Sequence, residues 1–295
     1  MSNIVRIQII ATALILLIAL VEALVLQYRK PGSFDWSEAW LSMADMLGRR
    51  VLALLPLNIA TPVFAWVWPH RLFTIELGGI ASFLLLFLGL EFFYYWYHRA
   101  AHRVRFFWAT HAVHHSPNQL TLSTAFRLGW TGKMTGTALF FTPLVYLGFD
   151  PKVVVTALSL NLLYQFWLHT TWIPKLGWLE YVFNTPSAHR VHHASNVDYL
   201  DANYGGVLII YDRIFGTYRS ERSEEPCIYG LVNPLRSRNV FTMEFMQWMD
   251  LYKDMRASRT ITTALALIVM PPGWSPDGRG LTTEVLRQNQ VKALA

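Results

Sequence analysis

A nearly unbroken apolar segment at residues 7–27 most narrowly limits what this chain can fold into. Its length of about 20 residues suits one crossing of the hydrocarbon core of a membrane. Within lipid, every backbone N–H and C=O group needs a partner from the chain itself, so such a segment forms a helix. Glu22 is its only charged residue, and Arg29 and Lys30 follow it, which favours a retained span over a cleaved signal peptide.

The composition extends this prediction to much of the chain. Apolar residues make up 53% and charged residues 15% of the sequence, whereas charged residues usually account for about a quarter. Residues 51–69, which include Pro56 and Pro62, are predicted to form a second span, and residues 75–97 a third that ends in an aromatic run. The sequence therefore predicts an all-α, multi-span integral membrane helical bundle.

Two later apolar segments are too short or too interrupted to read as ordinary spans. Residues 134–170 are broken by Asp150-Pro151 and are predicted to form a helical hairpin that either crosses the membrane or dips deeply into it. Residues 261–270 are too short to cross, so we expect them to pack on the protein or at the membrane surface.

The distribution of basic residues predicts the orientation of the bundle. Lys and Arg concentrate at residues 28–50 and 98–133, whereas the link at residues 70–74 contains only Arg71. Cytoplasmic segments of membrane proteins carry the excess of Lys and Arg, so these two regions are predicted to be cytoplasmic. A hairpin at residues 134–170 would return the chain to the same side, where we expect a helical cap.

Eight of the ten histidines fall within three short windows of the sequence. The first window reads HxxxH and the other two read HxxHH. On a helix, positions i, i+3 and i+4 lie on one face, so each window would direct its imidazoles the same way. Imidazole is a common neutral ligand of transition metals, and eight ligands suit two ions. The predicted ligands are His98, His102, His111, His114, His115, His189, His192 and His193.

One further histidine and three polar residues are also candidates for this metal site, whereas the tenth histidine is not. His169 ends an apolar stretch, where a polar side chain needs a partner, so it is predicted as a ninth ligand, whereas His70 is not. Metal-bound histidine needs an acceptor for its other ring N–H. Asp198, Asp201 and Asn203 follow the last window and are predicted either as such acceptors or water-mediated ligands, or as parts of a solvated turn.

The rest of the sequence excludes several classes of function. One cysteine, Cys227, permits neither an intramolecular disulfide framework nor a thiolate metal cage. The net charge of +6 is spread along the chain, which is typical of membrane flanks rather than of nucleic-acid binding. No Glu-x-x-His pair of the kind found in soluble di-iron bundles occurs, so spacing alone leaves iron, zinc, copper and nickel open.

The order of the three windows resembles the membrane-bound fatty acid hydroxylase and sterol desaturase superfamily over residues 80–220. Flanking residues are most similar to the alkylglycerol monooxygenase branch and its bacterial relatives. Ala188 departs from this pattern, because members of the branch often have another histidine there. The flanks that carry the resemblance are residues 107–109, 122–127, 184–187, 203–206 and 211–217.

The resemblance implies a di-iron, O2-dependent enzyme that hydroxylates or desaturates a lipid on the cytoplasmic face of the membrane. It assigns both irons to the predicted histidines and implies a lipid substrate of sterol, fatty acyl or alkylglycerol type. No fused cytochrome or flavin module is apparent, so a separate electron donor is expected, such as a reduced pterin, a ferredoxin or a cytochrome. The implied division is a membrane region at residues 1–74, a catalytic domain at 75–220 and a cytoplasmic or interfacial tail at 221–295.

Two other classes of function remain open on sequence grounds. A zinc-dependent membrane hydrolase would use metal-bound hydroxide and an acid or base carboxylate near the ligands, but the windows contain none. A non-enzymatic haem-carrying or metal-carrying membrane protein would need fewer clustered histidines or would place them near the middle of the bilayer.

Overall fold

The computed structural model describes residues 3–294, and this part of the chain is helical with three isolated β-bridges and no strand. Short 3-10 segments supplement the α-helices. The predicted all-α class is therefore confirmed for this part of the chain. Its α-helices are α1 (Asn3–Arg29), α2 (Trp36–Leu52), α3 (Ala60–Val67), α4 (Ile80–Arg103), α5 (Arg105–His115), α6 (Thr142–Leu147), α7 (Pro151–Phe166), α8 (Pro186–His193), α9 (Ile210–Ile214), α10 (Val240–Ala257), α11 (Ile261–Val269) and α12 (Thr283–Leu294).

Two helices are long and apolar enough to cross a membrane, judged by length and composition. They are residues Ile9–Arg29 of α1 and the whole of α4, Ile80–Arg103. These helices confirm the helical segments predicted at residues 7–27 and 75–97. The larger number of crossings, and the side on which each end lies, remain predictions.

The single long helix predicted at residues 51–69 is wrong. The helix α2 ends at Leu52, a turn follows, and α3 has only eight residues. Pro62 lies in the first turn of α3, where its missing N–H costs nothing, but deeper in a helix its ring would clash with the preceding turn. The proline therefore limits how early α3 can begin. Residues 51–69 consequently form the end of α2, a turn and the short helix α3.

The hairpin predicted at residues 134–170 forms, with a shorter first arm than expected. A 3-10 segment, Thr137–Phe141, and the six-residue helix α6 make the first arm, and α7 makes the second. The chain turns at Gly148, whose φ of +132° suits a residue without a side chain. The Asp150 carboxylate then accepts the backbone N–H of Lys152 at 2.7 Å and caps α7.

These short helices pack around the N-terminal half of α4. Leu90 of α4 is buried with Phe64 of α3, Val145 of α6 and Val154 of α7 in one hydrophobic cluster. Residues 72–75 donate backbone hydrogen bonds to the carbonyls of residues 146–148 at 2.8–3.2 Å. This junction lies near the start of α4, about 27 Å of helix rise from His98. The broken segments thus run along α4 and leave its C-terminal end to the histidines.

Buried polar residues attach α1 and α2 to the segment after α5. The Glu22 carboxylate of α1 accepts the backbone N–H of Leu122 at 2.6 Å and the hydroxyl of Thr170 at 2.8 Å. Arg127, which is fully buried, forms an ion pair with Glu38 of α2. A buried charge is tolerated only when it is paired and hydrogen-bonded, so these contacts fix where both helices dock.

The C-terminal tail packs on the histidine-bearing helices. The helix α10 lies along α5, and the rings of Phe106 and Trp248 meet edge to face at 5.2 Å. The helix α11 has nine residues and packs on α10 and α5, which confirms that this segment is too short to cross a membrane. The predicted division into three regions stays a prediction.

Candidate metal centre

Nine histidines from four parts of the chain converge at the C-terminal end of α4. Within each of two groups, one potential ligand atom per residue lies within 4.8 Å of all the others. The exposed His70 lies apart and bonds through Nδ1 to the Trp66 carbonyl. The larger group is His98, His102, His111, His115 and His192, and the smaller group is His114, His169, His189 and His193.

Short helices with fixed ends place these side chains. The histidines of the first window, His98 and His102, lie one turn apart on α4. Only Val104 separates α4 from α5, so the first two windows meet at a sharp turn. The N-cap of α8 is Thr185, whose hydroxyl accepts the backbone N–H of Ala188, and Pro186 occupies the first helical position.

The two HxxHH windows each divide between the two groups, which the sequence did not predict. His111 and His115 join the larger group, whereas His114 points into the smaller one. The rings of His115 and His193 stack across the boundary with centroids 4.4 Å apart. Two neighbouring helices therefore contribute to both groups, which places the groups side by side.

Backbone carbonyls orient four of the imidazoles. A carbonyl oxygen can only accept, so each of these Nδ1 atoms must carry the proton, and its Nε2 atom then presents a lone pair inward. Such an acceptor for the outer ring N–H is typical of metal-bound histidine. The pairs are His98 with Tyr204 at 2.8 Å, His114 with Arg127 at 2.8 Å, His169 with Gln165 at 2.8 Å and His192 with Ala202 at 2.9 Å.

These tautomers leave facing lone pairs that require a cation. His114 and His169 both donate through Nδ1, yet their Nε2 atoms lie 3.2 Å apart. Two unprotonated nitrogens at that distance repel each other unless a cation lies between them. The Nε2 atoms of His102 and His192 are also buried and have no hydrogen-bond partner among residues 3–294. The donor set therefore fits transition-metal ions held by imidazole nitrogens.

Burial keeps the imidazoles in the form that binds a metal. Removal from water lowers the pKa of His111, His114 and His115 well below 6.5, and neighbouring histidines lower it further. The same two causes lower the pKa of His189, His192 and His193. Neutral imidazole is the ligand form, so protons do not compete for these nitrogens at neutral pH.

The three predicted outer acceptors have different positions. Asp201 Oδ1 lies 3.6 Å from His102 Nδ1, and its other oxygen accepts from Arg103 at 2.7 Å. Burial alone would raise the pKa of Asp201, but His102 and Arg103 lower it to about 2, so this carboxylate stays ionised. Asn203 instead hydrogen-bonds the backbone of Ala188 and Arg219. Asp198 is exposed and pairs with Arg222, away from both groups.

The flanking residues noted in the sequence hold the carbonyls that orient the histidines. The buried Asp212 carboxylate accepts the backbone N–H groups of Tyr204 and Gly205, both at 2.7 Å. The Asn184 amide donates to the Gly205 carbonyl at 2.6 Å. The loop whose Tyr204 carbonyl orients His98 is thus fixed by side chains. The resemblance to a known family identified these flanks but not this role, because backbone acceptors leave no mark in a sequence.

A cavity of about 270 Å³, which we call the apolar cavity, reaches both histidine groups from the side of α4 and α7. Tyr97 and Ala101 of α4 and Leu162 and Phe166 of α7 form part of its wall. Four histidines of the metal centre line this cavity, namely His98, His111, His114 and His169.

A second cavity of about 240 Å³, the polar cavity, reaches the histidines from the tail side. It meets His102, His115, His192 and His193, and its wall combines polar residues such as Asp201, Asn233 and Gln247 with apolar ones such as Leu200, Leu231 and Pro271. The tail is held over it because Arg103 pairs with both Asp201 and Glu284 of α12. The tail, for which the sequence predicted no functional residue, therefore forms part of the site.

Comparison with known proteins adds relatives of described activity. Residues 83–217 match the family model described as Fatty acid hydroxylase. The chain is 37% identical to alkylglycerol monooxygenase from Homo sapiens over 263 residues, which cover 89% of this chain and 58% of that protein. It is 38% identical to the Danio rerio protein of the same name, covering 80% of this chain and 52% of the relative.

A bacterial relative matches a shorter region. Ornithine lipid hydroxylase OlsE from Rhizobium tropici is 28% identical over 169 residues, or 55% of this chain and 49% of the relative. The chain thus spans little more than half the length of the first relatives. No solved structure matches it.

Proposed function

We propose that this chain, which belongs to the fatty acid hydroxylase family, is a membrane-bound lipid monooxygenase with two iron ions. The observation that carries the proposal is the pair of histidine groups with facing, unprotonated nitrogens at the end of an apolar cavity. Two relatives carry names that describe oxygenation or hydroxylation of lipids, which agrees with this site.

The nine histidines are the proposed iron ligands, five for one ion and four for the other. Iron is proposed over zinc because zinc has no redox chemistry and cannot activate O2. When bound, the two irons would supply the activation of O2 needed to hydroxylate a C–H bond. The carbonyls of Tyr204, Arg127, Gln165 and Ala202 hold the ring protons outward and so keep the inward nitrogens free to bind.

The apolar cavity is the proposed lipid site. Its walls exclude water from the reacting carbon, which protects the reaction from side pathways. Its wall along α4 and α7 would hold the lipid chain beside the histidines. We propose hydroxylation as the main reaction, with desaturation as a variant at the same site.

The polar cavity is the proposed approach for a separate electron donor. It meets a different set of histidines from the one that lines the apolar cavity, and the two linings share no residue, so the donor and the substrate would not compete for space. We propose that a reduced pterin would enter this cavity, whereas a ferredoxin or cytochrome would dock over its opening. The basic segments at residues 28–50 and 98–133 favour a cytoplasmic position for this side.

Asp201 argues against the zinc hydrolase considered from the sequence. It is the carboxylate that approaches a metal-centre histidine, and it is already paired with Arg103. A carboxylate with a pKa near 2 is a poor general base at neutral pH.

The direct test compares the lipids of cells with and without the gene, grown under 18-O2. We expect one lipid class to gain a hydroxyl group that carries the heavy isotope. Purified protein should require both iron and O2 for turnover. Full activity with zinc alone under anaerobic conditions would overturn the proposal.

A further inference from the structure

The mouth of the apolar cavity combines exposed aliphatic residues with two cations. Its exposed lining residues include Ala53, Leu128, Lys133 and Met134, so the cavity opens between the end of α2 and the segment after Gly129. Arg49 of α2 lines the same side of the cavity. The remaining lining residues are uncharged, neutral histidines of the metal centre among them, so these two cations are the positive charges at the mouth.

The aliphatic residues beside the mouth place it in a lipid environment. Leu54 is 84% exposed and Val51 65% exposed, immediately around Ala53. Met134 is 40% exposed on the opposite side. Such a cluster is unfavourable in water but favourable where a protein meets a membrane. Basic side chains at that depth lie at the level of lipid headgroups.

Arg49 keeps donors that the protein does not use. Its Nη2 atom donates to the Phe126 carbonyl at 3.0 Å, whereas its Nε atom is buried without a hydrogen-bond partner. The Asp45 carboxylate is 3.8 Å from that Nε atom, too far for a hydrogen bond. The Arg49 side chain is nevertheless 33% exposed, and its Nη1 atom is neither buried nor hydrogen-bonded among residues 3–294, so an anionic oxygen entering the mouth can accept a hydrogen bond from it.

The acidic groups nearby cancel only one of the two positive charges at the mouth. Asp45 and Glu244 are buried against each other, and Glu244 also accepts the Trp130 backbone N–H at 2.7 Å. Burial and the neighbouring Asp45 raise the pKa of Glu244, so the pair holds one proton and one negative charge. Arg49 balances that charge. Lys133 is exposed and outside every ion pair of residues 3–294, so its charge remains.

We propose that the substrate is a lipid with an anionic headgroup, held at the mouth by Arg49 and Lys133 while its chain occupies the apolar cavity. Phosphate and carboxylate groups share the required chemistry, since both present oxygens to a guanidinium and an ammonium group. This inference rests on the proposed function and names its substrate class. Arg49 and Lys133 act in substrate binding and specificity and do not reach the metal centre.

The test uses the full-length protein in nanodiscs of neutral lipid and three substrates with the same chain. One carries an uncharged glycerol headgroup, one a phosphate monoester and one a carboxylate. We expect a KM at least about tenfold lower for an anionic lipid than for the neutral one, and a smaller difference at high salt because exposed charges are screened. The two anionic lipids distinguish phosphate from carboxylate.

Arg49→Gln and Lys133→Gln should each raise the KM for the anionic lipid several-fold more than the KM for the neutral lipid. Arg49→Lys keeps the positive charge and should therefore retain part of the wild-type preference for the anionic lipid. Arg50→Gln is the matched control, because Arg50 is adjacent but exposed and points to Thr12 of α1 at 3.2 Å. Equal KM values for neutral and anionic lipids, or an equal effect of Arg50→Gln, would overturn the inference.

A binding measurement separates failure of this inference from failure of the proposed function. Fluorescent non-reactive analogues with phosphate and uncharged headgroups are titrated onto wild-type protein and Lys133→Gln in the absence of O2. Preferential binding of the phosphate analogue that Lys133→Gln removes supports the inference whether or not turnover occurs. If the protein turns over neutral and anionic lipids equally well, the proposed function stands but the anionic substrate is rejected.

Discussion

A neutral histidine binds a metal through the ring nitrogen without a proton, so the partner of the other nitrogen decides whether it can act as a ligand. In this chain backbone carbonyls supply most of the recorded partners, with Asp201 beside His102 as the side-chain exception. A carbonyl is present at every position, so its use cannot be predicted from residue type. The sequence therefore predicted which histidines would be ligands, but it did not predict how their rings are oriented.

Removing one histidine from either group should abolish activity. His114→Ala removes a ligand of the four-membered group, and His192→Ala one of the five-membered group. Because loss of a mere outer partner costs about 10–100-fold, loss of a ligand should lower the turnover rate at least 100-fold. Iron per chain, measured by mass spectrometry on purified protein, should fall below the wild-type value of about two.

His70→Ala is the control for these variants. Its ring is exposed and bonds to the Trp66 carbonyl, away from the metal centre. Iron content and lipid turnover should match the wild type. Full activity of His114→Ala, or an equal loss in His70→Ala, would contradict the proposed ligand set.

At the scale of elements, helical periodicity found the windows but misjudged where each one points. Positions i, i+3 and i+4 share a face only broadly, since i and i+3 differ by about 60° around the helix. Two metal groups side by side can divide that face, which is how His114 separates from His111 and His115. The broken segment at residues 51–69 has a different cause. Apolar composition favoured one long helix there, and Pro62 near the start of α3 limits its extent.

The junction of α10 with α2 should weaken at alkaline pH. The folded-state pKa of Glu244 is raised above 4.5 by burial and by Asp45. Its stabilising contribution is therefore complete below about pH 4.5 and is lost as pH rises through the raised folded-state value. The midpoint of thermal unfolding should fall between pH 7 and pH 10 as the shared proton leaves and two carboxylates repel each other.

Glu244→Gln should flatten this pH dependence, because an amide can donate to Asp45 without titrating. Glu224→Gln, at an exposed site, should leave the wild-type slope unchanged. Differential scanning calorimetry across this pH range measures all three proteins. An unchanged slope in Glu244→Gln would show that another group titrates.

At the scale of the whole molecule, distant segments of the chain meet at the two ends of α4. Residues 72–75 and 146–148 meet near the start of α4, and the histidines collect near its C-terminal end. Only α1 and α4 have the length and composition of a complete span within the described residues. Further crossings remain a prediction, in which the shorter helices would lie at membrane depth, where irregular backbone is tolerated if protein covers it.

Labelling with a membrane-impermeant maleimide tests the predicted orientation. In a Cys227→Ser background, Leu72→Cys should react in intact cells, because Leu72 is exposed at the end predicted to face outward. Lys292→Cys, exposed on α12, should react only after the membrane is permeabilised. The opposite pattern would place the metal centre outside the cytoplasm.

The sequence by itself determined the helical class, the two long apolar helices and the histidines that converge. These features depend on local patterns, namely apolar length and the repeat of the helix, which need no distant contacts. His169, 20 residues before the last window, was found because an isolated polar residue in an apolar stretch needs a partner.

The tertiary structure alone decided how the histidines divide into two groups, which carbonyls fix their tautomers and where the two cavities lie. Most of these features depend on distances between residues far apart in the chain, such as His98 and Tyr204, separated by 106 positions. It also gave the tail a place at the site, through the ion pair of Arg103 with Glu284. Packing sets such distances, and no local pattern encodes them.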